Sequence, residues 1–233
     1  MRALAAEALG TALLVAAVIG SGIMGERLAG GNDAVALLAN TGATAAALYV
    51  LILLFGPLSG AHFNPVVTAV LWARGDVAGR TVLPFAAAQV LGAAAGAVTA
   101  NAMFALPLVA AAATARTGPA LWLSEIVATF LLVLVILGLS KARPAAIPAS
   151  VALTIAAAYW FTASTSFANP AVTLARSLSD TFAGIDPRHV PAFVVAQAAG
   201  GALALGVASA LFGRRPAARA GMVEAPIHAA QLE

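Results

Sequence analysis

The chain consists of six long apolar segments separated by short polar connections. The segments cover residues 3–24, 34–55, 80–104, 120–140, 146–164 and 190–212. An α-helix of about 20 apolar residues is long enough to cross the hydrocarbon core of a bilayer. The pattern therefore predicts an all-α membrane protein with six transmembrane helices.

Two of the connections contain the dipeptide Asn-Pro. Residues 64–68 read Asn-Pro-Val-Val-Thr, and residues 169–173 read Asn-Pro-Ala-Val-Thr. An Asn side chain caps the first free N–H groups of a helix, and Pro fits the first turn because no donor is needed there. About ten helix-compatible residues follow each motif, too few to span a bilayer, so we expect two re-entrant half-helices that enter from opposite sides.

The two halves of the chain resemble each other. The Asn-Pro motifs lie 105 positions apart, and residues 6–15 resemble residues 124–133. Each half holds three predicted spans, and an odd number of spans inverts the second copy relative to the first. We therefore expect one domain over residues 1–213, with repeats at 1–105 and 118–213, followed by a flexible cytoplasmic tail at 214–233.

The composition narrows the function classes. The 233 residues are 62% hydrophobic and only 9% charged, too few charges for the surface of a soluble domain. There are no cysteines, and the formal net charge of +3 is spread over the loops. Disulfides, thiol catalysis and nucleic-acid binding are therefore not expected.

Enzymatic function and metal binding find no support in the motifs. The chain has no Gly-x-x-x-x-Gly-Lys-Ser/Thr phosphate loop, and no nucleophile–base arrangement stands out at membrane depth. The three histidines, His62, His189 and His228, lie far apart in the sequence, which argues against a metal site. We therefore predict no enzyme activity, no cofactor and no metal.

The distribution of Lys and Arg predicts the orientation. With the N-terminus in the cytoplasm, eight basic residues fall on the cytoplasmic side and four on the other side. Cytoplasmic loops carry an excess of Lys and Arg, so both termini are expected in the cytoplasm of a multi-pass inner-membrane protein. The eight are Arg2, Arg74, Arg80, Lys141, Arg143, Arg214, Arg215 and Arg219, and the four are Arg27, Arg116, Arg176 and Arg188.

These motifs resemble the signatures of the aquaporin, or major intrinsic protein, family. Residues 59–68 (Ser-Gly-Ala-His-Phe-Asn-Pro-Val-Val-Thr) resemble the first signature, and residues 169–171 resemble the second. The Glu-x-x-Gly-Thr pattern from Glu7 to Thr11 is typical of the first helix of the family. The resemblance covers roughly residues 3–213 and implies an aquaporin-like fold of six spans and two half-helices, assembled as homotetramers in the lipid bilayer with a pore in each subunit.

The resemblance also implies roles for particular residues. Asn64 and Asn169 would meet at the midplane of the pore and donate hydrogen bonds to a passing solute. The neighbouring motif residues, expected at the same depth, are Pro65, Val66, Pro170 and Ala171. Residues expected to support the half-helix loops are Glu7, Glu125, Gln89, Gln197 and His62, of which His62 could line the cytoplasmic vestibule.

One position departs from the family pattern. An Arg normally follows the second Asn-Pro-Ala, and this chain has Val172 instead. Counting back from the motifs places the other selectivity-filter positions at Thr44, Ala157 and either Ser166 or Phe167. This set is small and weakly polar, without an aromatic wall or a cation, and so predicts a wide opening. Arg176 lies one helical turn beyond Val172, and we hypothesise that it partly replaces the missing charge.

The resulting functional expectation is a passive, aquaglyceroporin-like channel with broad selectivity. Its solutes would be glycerol and other polyols, urea, neutral metalloid acids such as arsenite, and water. One alternative is a strict water channel in which the change at Val172 matters little. A second is a proton-coupled secondary transporter that uses Glu7 and Glu125, because buried acids in membranes are often functional.

Overall fold

A computed structural model describes residues 1–213, which fold into eight α-helices joined by loops and two short 3₁₀ turns. The predicted tail at 214–233 lies outside the described residues. The helices are α1 (Arg2–Leu28), α2 (Asp33–Ser59), α3 (Pro65–Arg74), α4 (Gly79–Met103), α5 (Pro119–Ala142), α6 (Ile147–Phe161), α7 (Pro170–Arg176) and α8 (Val190–Phe212).

The six predicted spans are confirmed within this part of the chain. Helices α1, α2, α4 and α5, together with α6 and α8 extended by their preceding 3₁₀ turns, are long and apolar enough to cross a membrane. The observed ends differ from the predicted ones by a few residues. Helix α6, for example, ends at Phe161 rather than at 164, because the chain turns into a loop with positive φ at Thr165 and Ser166.

Helices α3 and α7 are the two short helices that follow the Asn-Pro motifs. Asn64 accepts a hydrogen bond from the Val66 N–H, and Asn169 accepts from the first N–H groups of α7, so both act as N-caps. Helix α3 has the expected 10 residues, whereas α7 has only 7. Helix α7 ends at Arg176. The hydroxyl of the next residue, Ser177, donates to the Leu174 carbonyl of the last turn.

The long helices pack in equivalent pairs, α1 against α4 and α5 against α8. The pairs approach closely because glycines lie at the contact. A Cβ added at Gly92 would lie 2.1 Å from the Ala8 carbonyl oxygen, and one at Gly200 would lie 2.4 Å from the Ile126 oxygen. Small residues at such crossings drive helix association in lipid, where the hydrophobic effect between helices is absent.

We predict that Gly96→Ala destabilises the protein, because its Cβ would lie 2.2 Å from the Ala12 carbonyl oxygen and the two backbones would have to separate. Overpacking of this kind costs about 1–3 kcal/mol. Thermal unfolding in detergent, followed by size-exclusion chromatography, measures the effect. Gly206→Ala is the matched control, since no atom of the described residues lies within 4 Å of its added Cβ. Equal melting temperatures for the two variants would contradict the predicted close approach.

Candidate functional site

The two motif asparagines are joined by reciprocal hydrogen bonds. Asn64 Nδ2 donates to the Ala168 carbonyl at 2.7 Å, and Asn169 Nδ2 donates to the Phe63 carbonyl at the same distance. Helices α3 and α7 therefore begin at one place and run away from each other. Each amide group has a second hydrogen that is not used in these bonds, and both asparagines line a common cavity.

The loops before both asparagines have an unusual backbone. Residues one and three positions before each Asn have φ near +50°, namely Phe63 and Ala61 in one half, and Ala168 and Ser166 in the other. This conformation turns the Phe63 and Ala168 carbonyls toward the opposite asparagine. Because non-glycine residues in such regions cost about 1–3 kcal/mol each, the surrounding contacts must hold them in place.

Glu7 supports the first loop. Its Oε1 accepts hydrogen bonds from the His62 N–H at 3.0 Å and the Ser59 hydroxyl at 2.6 Å. Its Oε2 accepts from the Phe63 N–H and from Gln89 Nε2, both at 2.7 Å. The carboxylate is fully buried, so it satisfies backbone donors that water cannot reach.

Glu125 supports the second loop in the same way. Its two oxygens accept from the Phe167 and Ala168 N–H groups at 2.9 Å each, and Oε2 also accepts from Gln197 Nε2 at 2.6 Å. Gln197 bonds in turn to the Thr173 hydroxyl, as Gln89 bonds to the Thr68 hydroxyl in the first half. The structure thus places all four predicted carboxylate and amide side chains against the loops.

A cavity of about 260 Å³ runs past both asparagines. Its wall is mostly apolar, with side chains from α1, α2, α3, α5, α6 and α7. The predicted residues that line it are His62, Asn64, Asn169, Thr44, Ser166, Phe167, Val172 and Arg176. The wall does not include Pro65, Val66, Pro170 or Ala171. These four lie in the first turns of the half-helices and pack away from the cavity; Val66, for example, faces Gly201 of α8.

The predicted filter position at Ala157 is wrong. Ala157 is exposed on the outer surface of α6, whereas Val151, Ile155 and Tyr159 line the cavity at a spacing of four residues. Counting without gaps from Asn169 missed the phase of α6 by two residues. The expectation that the cavity has no aromatic wall is also wrong, because Tyr159 and Phe167 both line it. The Tyr159 hydroxyl lies 3.4 Å from Thr44 Oγ1.

Arg176 lies in the cavity wall rather than hanging free at the mouth. It is 2% exposed, its guanidinium carbon lies 3.4 Å from the centre of the Phe167 ring, and its Nε donates to the Ala183 carbonyl. Neither Nη atom has a hydrogen-bond partner within residues 1–213. The cavity therefore contains a cation that the sequence prediction assigned only as a hypothesis.

A second arginine, Arg116, was missed by the sequence analysis. It lies in the loop between α4 and α5, and its guanidinium carbon is 5.1 Å from the centre of the same Phe167 ring. Its Nε donates to the Gly184 carbonyl at 2.8 Å and its Nη2 to the Phe182 carbonyl at 3.3 Å. Burial lowers the pKa of Arg116 from its usual value. No motif surrounds Arg116, so the sequence carried no signal for it.

Neither arginine forms an ion pair with a residue of the described range 1–213. The salt bridges found among the described residues are Arg74–Asp76 and Arg188–Asp186. Hydrogen bonds from the Arg188 side chain and backbone lower the pKa of Asp186 to about 2, so this carboxylate is committed to Arg188. The Arg176 end of the cavity is therefore electropositive.

The opposite end of the cavity contains His62. Its Nδ1 lies 3.0 Å from the Thr68 hydroxyl, and its ring makes an edge contact with Phe85. Within residues 1–213, no group of three or more His, Asp or Glu side chains could hold a metal ion.

The sequence and the fold are similar to those of known proteins. The sequence model of the family described as "Major intrinsic protein" matches residues 1–159. The aquaglyceroporin AqpS of Rhizobium meliloti is 55% identical over 200 residues, which cover 86% of this chain and 85% of that protein. Aquaporin AqpM of Methanothermobacter marburgensis is 34% identical over 201 residues, covering 80% and 78%. The crystal structure of the aquaglyceroporin from Plasmodium falciparum superimposes with a TM-score of 0.73 at 18% identity, over 91% of this chain and 96% of that one, and confirms the predicted fold class.

We predict that Glu125→Gln lowers the melting temperature. Glutamine retains one acceptor oxygen and places an NH₂ group against donors, so at least one buried N–H would lose its partner at a cost of about 1–3 kcal/mol. Glu26→Gln is the control, because Glu26 is exposed on α1. The two variants are compared by thermal unfolding in detergent. A Glu125→Gln protein as stable as the Glu26→Gln protein would show that the loop does not depend on this carboxylate.

Proposed function

The chain belongs to the major intrinsic protein family, whose members are membrane channels and not enzymes, and from this premise we propose an aquaglyceroporin-like facilitator of broad selectivity. It is a multi-pass membrane channel for small neutral solutes. The proposed solutes are glycerol and other polyols, urea and neutral metalloid acids such as arsenious acid, together with water. The observation that carries the proposal is the mostly apolar cavity that passes two convergent amide groups.

The cavity suits a solute with both hydroxyl groups and an apolar face. The free amide hydrogens of Asn64 and Asn169 would donate to a hydroxyl oxygen halfway along the path. The Arg176 Nη atoms would do the same at one end. Apolar side chains such as Ile155 and Val172 would contact the carbon skeleton of a polyol. The named aquaglyceroporin at 55% identity supports glycerol among these solutes.

The electrostatics oppose the passage of cations. The N-terminal ends of α3 and α7 meet at the asparagines, and each carries the positive end of a helix dipole. Arg176 adds a full positive charge to the wall. Glu7 and Glu125 do not line the cavity, so no carboxylate in the described part of its wall compensates a cation that loses its hydration shell.

The burial of the two supporting carboxylates argues against proton coupling. Glu7 and Glu125 are 0% exposed, and each accepts hydrogen bonds from two backbone N–H groups and a glutamine. A proton relay needs a carboxyl group that contacts the transport path and exchanges partners. These two carboxylates serve the loops, which favours a channel over a secondary transporter.

A strict water channel is the second candidate, favoured by one observation. Three large side chains, Tyr159, Phe167 and Arg176, line the cavity, where the sequence predicted only small ones apart from the open choice of Phe167. A narrow opening with a fixed donor rejects solutes larger than water. Flux measurements on several solutes separate this candidate from the broad facilitator.

We propose the remaining organisation from the sequence arguments and the family. Residues 1–213 form a single channel domain with two repeats, and the protein assembles as a homotetramer in the inner membrane. Both termini face the cytoplasm, which places Arg116 and Arg176 at the outer mouth and His62 at the inner one.

We predict that purified protein in liposomes accelerates the influx of glycerol, urea and arsenious acid as well as water. Stopped-flow light scattering on each gradient measures the rates, with empty liposomes as the control. The flux should follow the solute gradient alone and stay unchanged when a protonophore collapses the proton gradient. Acceleration of water only would select the strict water channel, and a protonophore-sensitive flux would select the transporter.

We predict that Val172→Arg lowers the glycerol rate more than the water rate. The side chain of residue 172 lines the cavity beside Asn169, and a guanidinium there would narrow the path next to the amide groups. Val172→Leu is the matched control, because it adds bulk without charge. Equal loss of glycerol and water flux in Val172→Arg would contradict size selection at this position.

A further inference from the structure

The position of Arg176 depends on two supports outside its own helix. One is the Ala183 carbonyl, which accepts from Nε, and the other is the Phe167 ring, which lies under the guanidinium. A guanidinium that stacks on an aromatic ring and donates to a fixed carbonyl is held in one orientation. If either support moved, the Nη atoms would point elsewhere in the cavity.

Arg116 contacts the Phe167 ring and the residues on either side of Ala183. Its hydrogen bonds go to Phe182 and Gly184, the two residues that flank Ala183 in the chain. Its guanidinium also lies against Phe167. Arg116 does not line the cavity, so its contacts reach the solute path only through these neighbours.

The loop that carries Arg116 is itself anchored to the second half of the chain. Ala110 N–H donates to the Leu178 carbonyl at 3.0 Å, and Ala112 N–H donates to the Ser177 carbonyl at 3.1 Å. The Arg116 N–H lies 3.2 Å from His189 Nδ1. These bonds fix the Arg116 backbone relative to the end of α7, which carries Arg176.

We propose that Arg116 is a positioning residue for Arg176 and supplies a second positive charge at the outer mouth. Its bidentate contact with the 182–184 segment and its stacking on Phe167 hold the pore-facing guanidinium in place. Its charge raises the barrier to cations from a position that solutes do not touch. This inference rests on the proposed channel function, and it adds a selectivity residue contributed by the loop between α4 and α5.

The other charged groups near this pair do not form ion pairs with it. Glu125 is bound to the Phe167 and Ala168 N–H groups, and Asp180 is exposed and accepts from the Ala113 N–H at 2.9 Å. Asp186 is paired with Arg188, whose side chain is 84% exposed. No described carboxylate forms an ion pair with Arg116 or Arg176, so both charges contribute to the potential at the mouth.

The test compares Arg116→Lys, Arg116→Gln and Arg176→Gln in liposomes. Lysine keeps the charge and loses the fork of donors, whereas glutamine loses both. Two quantities are measured on each variant: the ratio of xylitol flux to glycerol flux, and the rate of K⁺ entry into liposomes that contain a K⁺-sensitive dye. Arg27→Gln is the matched control, because it removes an exposed arginine that contacts Phe104 and not Phe167, and that forms no ion pair with a described carboxylate.

We expect both Arg116 variants to raise the xylitol-to-glycerol ratio, and Arg176→Gln to raise it at least as much. Arg116→Gln should also raise the rate of K⁺ entry by about tenfold, because one nearby unit charge is lost. Arg116→Lys should leave the rate of K⁺ entry as in the unchanged protein. Arg27→Gln should change neither quantity.

Other outcomes overturn the inference. If Arg116→Lys matches the unchanged protein in both quantities, Arg116 acts by charge alone and does not position Arg176. If both Arg116 variants match the unchanged protein in both quantities, Arg116 only connects its own loop to the 182–184 segment and has no role in selectivity. If the Arg116 variants do not fold, Phe167→Leu is tested instead, because it removes the aromatic ring that both arginines contact. An unchanged xylitol-to-glycerol ratio in Phe167→Leu would contradict positioning through Phe167. Absence of any glycerol flux in the unchanged protein would instead reject the proposed function.

Discussion

Two buried carboxylates make the rest of this structure possible. Half-helices that begin inside a membrane expose backbone N–H groups at a depth where water does not reach, and each unsatisfied group is costly. Glu7 and Glu125 accept from the two N–H groups that precede each motif asparagine. The asparagines, in turn, cap the half-helices and bond to the carbonyls of the opposite loop. Each loop is therefore stable only in the presence of the other, and the cavity forms beside their junction.

The two halves repeat this framework but differ in the side chains that face the cavity. His62 and Phe167 occupy equivalent positions, each two residues before its motif asparagine. Both make an edge contact with a phenylalanine of the following long helix. His62 bonds to a threonine hydroxyl, whereas Phe167 is covered by two guanidinium groups. The scaffold is symmetric because both loops need carboxylate acceptors for the same backbone N–H groups. The side chains of His62 and Phe167 take no part in those backbone contacts, and they differ between the two ends.

This distinction explains which features were predictable from the sequence. The six spans and the half-helices follow from patterns that the backbone imposes, whereas the supporting Glu and Gln residues were expected from the resemblance to the aquaporin family. The lining of the Arg176 end depends on helix phase and loop length, which vary freely. The gap-free count from Asn169 missed the phase of α6 by two residues, so Ala157 lies on the outer surface and Tyr159 lines the cavity. Arg116 contacts Phe167 across 51 positions with no motif at either end, so only the three-dimensional structure reveals it.

The place of the arginine has a physical consequence for selection. Four residues along a helix correspond to about 6 Å, so Arg176 lies that much further from the asparagines than an arginine at position 172 would. Val172 is left as a small apolar wall beside Asn169, and the cation stands at the end of α7 where the Phe167 ring and the Ala183 carbonyl hold it. The path beside the amide groups is therefore lined by a small apolar side chain, while a positive charge still opposes cations further along α7. A wide passage beside the amide groups combined with charge exclusion at Arg176 is what the proposed broad facilitator of neutral solutes requires.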